Sequence, residues 1–388
     1  MQEHQQQQES QSWWSEITQA RARIDALSAI LGGFPSLEPL RASETPARDL
    51  LGDSAVADVV ISKLSSPGAG KGDDELCQWM YETYHSGDPE LQSVVVRFVP
   101  AICNAYLPRA ASKPGQSLSG FEAVLLALYS SEHKIRQGKG ILVTIPNLSQ
   151  PSLYHTPRVP SSSATEIKAG YYSPSLQPQE AVKTTKRAAI VGVALDLFHR
   201  KIAAMPDRSK LELCCAIREW AMRGCSWAER VDEVAKLALL QAIAPGPDVT
   251  LTGHVTTVGP SSSTSIFVSR QSFDDDEDED GDHKERTLRI PLPWELFQPI
   301  LKILGHCLLG PSSSPETRDS AGAAARALYA RATHEIIPEA ILPTRGLLRL
   351  DEAARAASLA AATAVASAST NSTPSKPKKP EVLLTPGK

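Results

Sequence analysis

The sequence predicts an all-α protein, an antiparallel helical bundle or a short irregular helical solenoid of about ten helices broken by long Pro/Ser-rich and acidic insertion loops. Three observations carry this. Apolar residues recur at i, i+3, i+4 and i+7 in segment after segment. The segments open on Ser or Asp and close on Gly or Pro. Consecutive segments near residues 206 and 224 are joined by only a few residues, as antiparallel neighbours are.

Composition sets the bounds. At roughly 150 residues per domain, a chain of 388 residues admits two or three domains. A hydrophobic content of 41% supports a sizeable core and excludes wholesale disorder. Aromatics are 5%, so that core rests on Leu, Val, Ile and Ala. A net charge of −4 excludes a strongly basic nucleic-acid binder. No apolar run reaches the ~18 residues that a transmembrane helix needs. The start MQEHQQQQES has no secretory pattern, and Gln2 stands where a myristoylation signal needs glycine, so a cytoplasmic location is expected. Six cysteines (Cys77, Cys103, Cys214, Cys215, Cys225, Cys307) form no C-x-x-C pair and mostly sit in apolar helical patterns. They read as small core hydrophobes in a reducing compartment.

The elements follow in order. Residues 1–11 are polar and Gln-rich and are expected to be disordered. A helix starts near Trp13, with Ile17, Ala20, Ile24, Leu27 and Leu31 near one face, and Gly32-Gly33 stops it. A second helical stretch covers Leu50 to Leu64, and 65–72 is a loop. Leu76, Trp79, Met80 and Thr83 share a face of a short helix that ends at Ser86-Gly87. Asp88-Pro89-Glu90 reads as N-cap, first helical residue and first-turn acid. Behind it, Leu91, Val94, Val95, Phe98, Val99, Ile102, Cys103, Tyr106 and Leu107 keep helical phase across Pro100, which predicts a kink there rather than an end. Ser119-Gly120-Phe121-Glu122 fits a capping box before Phe121 to Tyr129.

Residues 136–180 form a long Pro/Ser/Gly-rich connection, with one strand expected at Ile141 to Ile145. Helices resume near Lys183, where Ile190, Val191, Ala194, Leu195, Phe198, Ile202 and Met205 are in phase. Asp207 is placed to cap the next helix, Leu211 to Met222. Ser226-Trp227-Ala228-Glu229 opens another, to about Ala244. Residues 245–290 are an acidic insertion in which a hairpin is one reading. Further helices are expected at 293–309, at 315–337 and in an Ala-rich stretch from 347 to 366. The domain reading is therefore a disordered start at 1–11, a helical domain over 12–350, an Ala-rich helix at 351–367, and a disordered Ser/Pro/Lys tail at 368–388.

The chemistry of the side chains mostly argues against catalysis. Gly68-Ala69-Gly70-Lys71-Gly72 suggests a phosphate loop, but Ser65 stands where the first Gly belongs and Gly72 where a magnesium-binding Ser or Thr belongs. A flexible turn is the simpler reading. Gly115-Gln116-Ser117-Leu118-Ser119 lacks the last Gly of a nucleophile elbow and the strand before it. His334-Glu335 begins like a zinc helix, but Pro338 occupies the position of the second ligand. No catalytic, cofactor or metal residue is assigned. The acidic run 274–280 reads as a solvated loop, or else as a contact for a basic partner. Lys183, Lys186 and Arg187 form one basic cluster, and Lys376, Lys378 and Lys379 another. Each such charge is worth roughly 1 kcal/mol at an anionic leaflet, enough to assist membrane association but not to anchor.

Four segments resemble the hyccin family. The first is Tyr81-Glu82-Thr83-Tyr84-His85-Ser86-Gly87-Asp88-Pro89-Glu90-Leu91 with Arg97-Phe98-Val99-Pro100. The second is Gly120-Phe121-Glu122-Ala123-Val124-Leu125-Leu126-Ala127-Leu128-Tyr129. The most specific is Ile145-Pro146-Asn147-Leu148-Ser149-Gln150-Pro151-Ser152-Leu153-Tyr154-His155-Thr156-Pro157. The fourth is Ala327-Leu328-Tyr329-Ala330-Arg331-Ala332 with Glu335 and Pro338-Glu339. The acidic insertion and the Ala-rich end depart from animal members and suggest a plant-type branch. The resemblance implies an all-helical, non-enzymatic subunit of the plasma-membrane phosphatidylinositol 4-kinase complex. Such a subunit packs on a tetratricopeptide-repeat scaffold subunit, stabilises the kinase catalytic subunit and, indirectly, meets a lipid-anchored membrane subunit. Tyr154 and His155 are either packed on the fold by an extended crossing loop or presented to the scaffold partner. Two other readings stay open: a helical adaptor of an unrelated trafficking or chromatin assembly, and a hydrolase using Ser117 or His155.

Overall fold

The computed structural model describes residues 2–112, 117–145, 168–225 and 289–370. These contain thirteen α-helices and one antiparallel pair of strands, so the chain is all-α. The first helix, α1, runs Gln2–Ile30. It thus includes residues 2–11, expected to be disordered. Gln and Glu are good helix formers, and no Gly or Pro interrupts them before Trp13. Its buried face is the expected one, with Ile17, Ala20, Ile24 and Leu27 each 5% exposed or less. Gly32 and Gly33 end it with φ of +70° and +76°.

Next come α2 (Leu37–Ala42), α3 (Pro46–Gly52) and α4 (Ser54–Ser65). The expected single helix over Leu50–Leu64 is two, because the Asp53 carboxylate caps α4 by accepting from the Val56 N–H at 2.7 Å. In α5 (Glu75–Tyr84), Leu76, Trp79, Met80 and Thr83 are buried as their spacing requires. Helix α6 (Pro89–Arg97) begins as expected, with the Asp88 carboxylate accepting from the N–H groups of Glu90 and Leu91.

At Pro100 the expectation was a kink, and the structure corrects it. Helix α6 ends at Arg97, and α7 (Val99–Ser112) restarts one residue later. Pro100 has no N–H to offer the Val96 carbonyl. The Phe98 N–H closes onto Val95 instead, leaving Pro100 in the first turn of α7, where no such bond is needed. The apolar face stays in phase across the break, and Leu91 through Leu107 are buried along it.

Helix α8 (Ser119–Arg136) leads into strand β1 (Ile141–Ile145), which pairs antiparallel with β2 (Lys168–Ser173). Then follow α9 (Arg187–Lys201), one 3₁₀ turn at Ile202–Ala204, and α10 (Asp207–Met222), which Gly224 terminates at φ +68°. Asp207 does not cap its own helix. Its carboxylate accepts from the Ser314 N–H and the Thr317 hydroxyl at the start of a later helix. The last three helices are α11 (Trp294–Leu309), α12 (Pro315–Glu335) and α13 (Pro338–Thr370). The helix expected from Ser226 to about Ala244, the hairpin at 245–290 and the tail beyond 370 lie outside the described residues.

One apolar cluster runs through almost every helix from α1 to α13, as in a bundle with a shared core. A small satellite of Ala20, Ala47 and Leu91 joins α1, α3 and α6. Polar ties cross the core at fixed points. Arg97 donates to the carbonyls of Leu50 and Leu51. Arg331, 1% exposed, donates to the carbonyls of Trp220 at 2.8 Å and Ile290 at 2.5 Å and pairs with Glu335. Such charges are tolerated inside only because each has several partners.

Candidate functional site

The residues singled out for chemistry come first. The Gly68–Gly72 loop is a packed joint. The Gly70 N–H donates to Asp74, whose other carboxylate oxygen caps α5. The Gly70 carbonyl accepts from the N–H of Gly120 at 2.9 Å and so caps α8. Arg109 donates to the carbonyls of Ser65, Ser66 and Ala69. Gly70, at φ +83°, lies flat against the Phe121 ring. The capping box expected at Ser119–Glu122 is not closed, because the Glu122 carboxylate instead accepts from the Tyr106 hydroxyl. Ser117 shares a hydrogen bond with Ser119 at 3.0 Å on the surface, and His155 lies outside the described residues. Among the described residues no group of three His, Cys, Asp or Glu side chains is placed to hold a metal ion.

The basic cluster divides. Lys183 and Lys186 face solvent, while Arg187 turns inward to donate to the Tyr106 hydroxyl at 3.0 Å. Four cysteines (Cys77, Cys103, Cys214, Cys307) are buried as expected, Cys215 is exposed and Cys225 half-buried. Burial pushes the Cys103 thiol up to about 12, which keeps it inert.

The densest polar arrangement sits where α8, α9, α11 and the end of β2 meet. Glu132 and Arg136 are one turn apart on α8 and paired, and Asp196 and Arg200 repeat the spacing on α9. The two pairs interlock. Arg136 reaches Asp196 at 3.2 Å, and Arg200 reaches Glu132 at 2.6 Å. Lys302 from α11 completes the group at 3.2 Å from Asp196. Three cations thus hold two carboxylates, and neither carboxylate is left unpaired to act as a base or nucleophile.

This hub ties the strand pair to the helices. Arg136 donates to the Ser173 hydroxyl at 2.6 Å. Lys302 and Gln298 donate to the Tyr172 carbonyl at 3.2 and 3.0 Å. The Lys302 ammonium also stands 3.3 Å from the centre of the Tyr172 ring. Burial lowers the Lys302 pKa, and the attraction of Asp196 opposes that shift. Burial also holds the His199 ring below the usual imidazole range, and its Nδ1 shares a hydrogen bond with the Tyr172 hydroxyl at 3.1 Å. Beyond β2, the Leu176 N–H donates to Gly138 and the Tyr129 hydroxyl to the Gln177 carbonyl at 2.7 Å. A groove of about 680 Å³ opens beside the hub. It is floored by Ile190 and Val193, with Lys186 and Trp294 among its lining residues.

The arrangement therefore positions rather than reacts. It sets a two-stranded hairpin on the helical body, and the last described pair of that hairpin is Ile145 with Lys168. Tyr154 and His155 lie outside the described residues, between those two strand ends. The charge pairs on α8 and α9 were not singled out from the sequence, although their i, i+4 spacing was a signal that could have found them. That the two pairs cross, and that Lys302 joins them, was not legible there. Among comparisons with known proteins, a family model described as Hyccin matches residues 41–382.

Proposed function

The chain belongs to the hyccin family, and from that premise we propose that it is a non-catalytic scaffold subunit that stabilises a phosphatidylinositol 4-kinase complex. In this role it supports recruitment of the complex to the plasma membrane and so promotes synthesis of phosphatidylinositol 4-phosphate. Its direct partner is a tetratricopeptide-repeat scaffold subunit. The kinase catalytic subunit joins through the assembly, and a lipid-anchored membrane subunit is met indirectly. It requires no cofactor. The observation that carries the reading is the family match, which spans most of the chain. The all-helical body supports it, as does a densest polar cluster whose carboxylates are all consumed in ion pairs. No described helix is long and apolar enough to cross a membrane, so membrane attachment in this scheme comes through partners. Tyr154 and His155 are assigned to the scaffold contact.

Affinity capture of the tagged full chain under stringent washing, read by mass spectrometry, tests this. The scaffold and the kinase should both be recovered. Absence of both refutes the proposal.

A further inference from the structure

The groove of about 680 Å³ beside the hub has the size of a small-molecule site. Its rim is open to solvent: Ser175, Gln177, Lys186 and Glu295 are exposed, and Trp294 is 40% exposed. The wall on α9 runs from Lys186 to Asp196, about 15 Å along a helix. Helices α9 and α11 lie side by side and point the same way. A Cβ at Gly192 would stand 2.4 Å from the Glu295 carbonyl oxygen, and further along both helices Asp196 meets Lys302 at 3.2 Å. Both helices therefore start toward the same end of the groove, and neither start carries a side-chain cap.

The floor between these helices is apolar, with Ile190, Val193 and Pro299 buried along it. Both ends of the groove favour an anion. At one stand the exposed Lys186 and the positive ends of two helix dipoles. At the other is the hub, where three cations meet two carboxylates. Lys302, with 17% of its side chain exposed, carries that excess to the groove wall. Asp196 is held by Arg136, Arg200 and Lys302, which leaves Glu295 as the one lining carboxylate outside the hub. We infer that this groove binds a small organic anion with an apolar body. Its acid group pairs with Lys186 beside the two helix starts, and its body lies on Ile190, Val193 and the Trp294 ring. A neutral guest would leave the cationic excess uncompensated. A bare inorganic anion would leave the apolar floor uncovered. Fatty acids and aromatic acids share the required chemistry. The site does not depend on the scaffold reading above.

The test uses the purified full chain and anilinonaphthalene sulfonate, an amphiphilic anion whose fluorescence rises in apolar surroundings. Phenylnaphthylamine, the same rings without the sulfonate, is the neutral control. The chain should bind one equivalent of the sulfonate, about tenfold more tightly than the amine. Ala189→Trp sets a ring into the groove and should weaken both probes by about tenfold or more. Lys186→Glu changes only an exposed position. It should weaken the sulfonate by about threefold or more and leave the amine unchanged. Circular dichroism melting checks that each variant is folded. Decanoate and naphthylacetate then compete with the sulfonate. Displacement by either supports the site and tells an aliphatic from an aromatic body. Equal affinity for the two probes would overturn the inference, as would sulfonate binding that Lys186→Glu leaves untouched. So would displacement by inorganic phosphate as readily as by either organic acid, because the apolar floor would then play no part.

Discussion

Replacing Gly120 by alanine separates two physical effects of opposite sign. Intrinsic propensity favours the change, since alanine is better than glycine in a helix by up to ~1 kcal/mol. Packing opposes it. A Cβ at Gly120 would stand 2.2 Å from the Lys71 carbonyl oxygen and 3.0 Å from the Gly70 carbonyl carbon. Both are backbone atoms of a loop that Arg109 and Asp74 hold in place, so the obstruction cannot swing aside as a side chain would. Relief requires the loop to withdraw by an ångström or so. That breaks the Gly120 N–H bond to the Gly70 carbonyl, at about 1 kcal/mol. It also lifts the loop from the Phe121 ring, with overpacking strain of ~1–3 kcal/mol. The net expectation is a loss of about 1–3 kcal/mol, or roughly 1–4 °C in melting temperature for a chain of this length. Urea unfolding followed by tryptophan fluorescence reads it directly. Gly346→Ala is the control: Gly346 is helical, with no neighbouring heavy atom within 4 Å of a Cβ, and it should gain stability. If Gly120→Ala were as stable as wild type or more so, the account of the loop as a rigid backbone cap would be wrong.

Three further outcomes follow from the same structure. Arg136→Met leaves Glu132 and Asp196 short of their most buried cation and should cost about 3 kcal/mol, with faster proteolysis between residues 139 and 180; an unchanged cleavage pattern would count against the hub as the hairpin's anchor. His199 and His306 both have folded-state pKa values lowered by burial, so the unfolded chain takes up their protons first. Stability is complete above the unfolded imidazole pKa of about 6.5 and declines as pH falls below it; a pH series of urea midpoints should flatten in the His199→Gln, His306→Gln double variant. In a native thiol titration with an aromatic disulfide, Cys215 should react first and Cys225 next, while Cys77, Cys103, Cys214 and Cys307 wait for denaturant; prompt reaction of all six would show that the core is open.

What could be read along the chain depended on whether the cause was local. The Asp88-Pro89-Glu90 start was legible because cap, proline and first-turn acid act on residues two and three places away. The buried faces of α5, α7 and α9 were legible because helical phase is a property of one segment. The break at Pro100 was half legible: the face carried on, but whether a proline bends a helix or restarts it depends on how neighbours support the carbonyl it abandons. At α8 the capping box looked complete, yet the partner of Glu122 came from Tyr106 and the cap itself from Gly70. The Gly-rich loop was taken for a free turn because its glycines lack phosphate-loop spacing. Gly70 leaves clearance for the Phe121 ring, and Gly72 for the Ser119 hydroxyl, both some fifty residues away in the chain. The ion cluster follows the same rule, with two local pairs readable singly and their union decided by how α8, α9 and α11 meet.

Arg331 has a consequence that reaches past its own ion pair. Its guanidinium grips one carbonyl on α10, just before residue 226, and another at Ile290, just after residue 288. The exit and the re-entry of that intervening stretch are thereby stapled to a single side chain. A lysine at 331 would keep the charge but not the two-pronged reach, so one of the two chain ends would lose its staple.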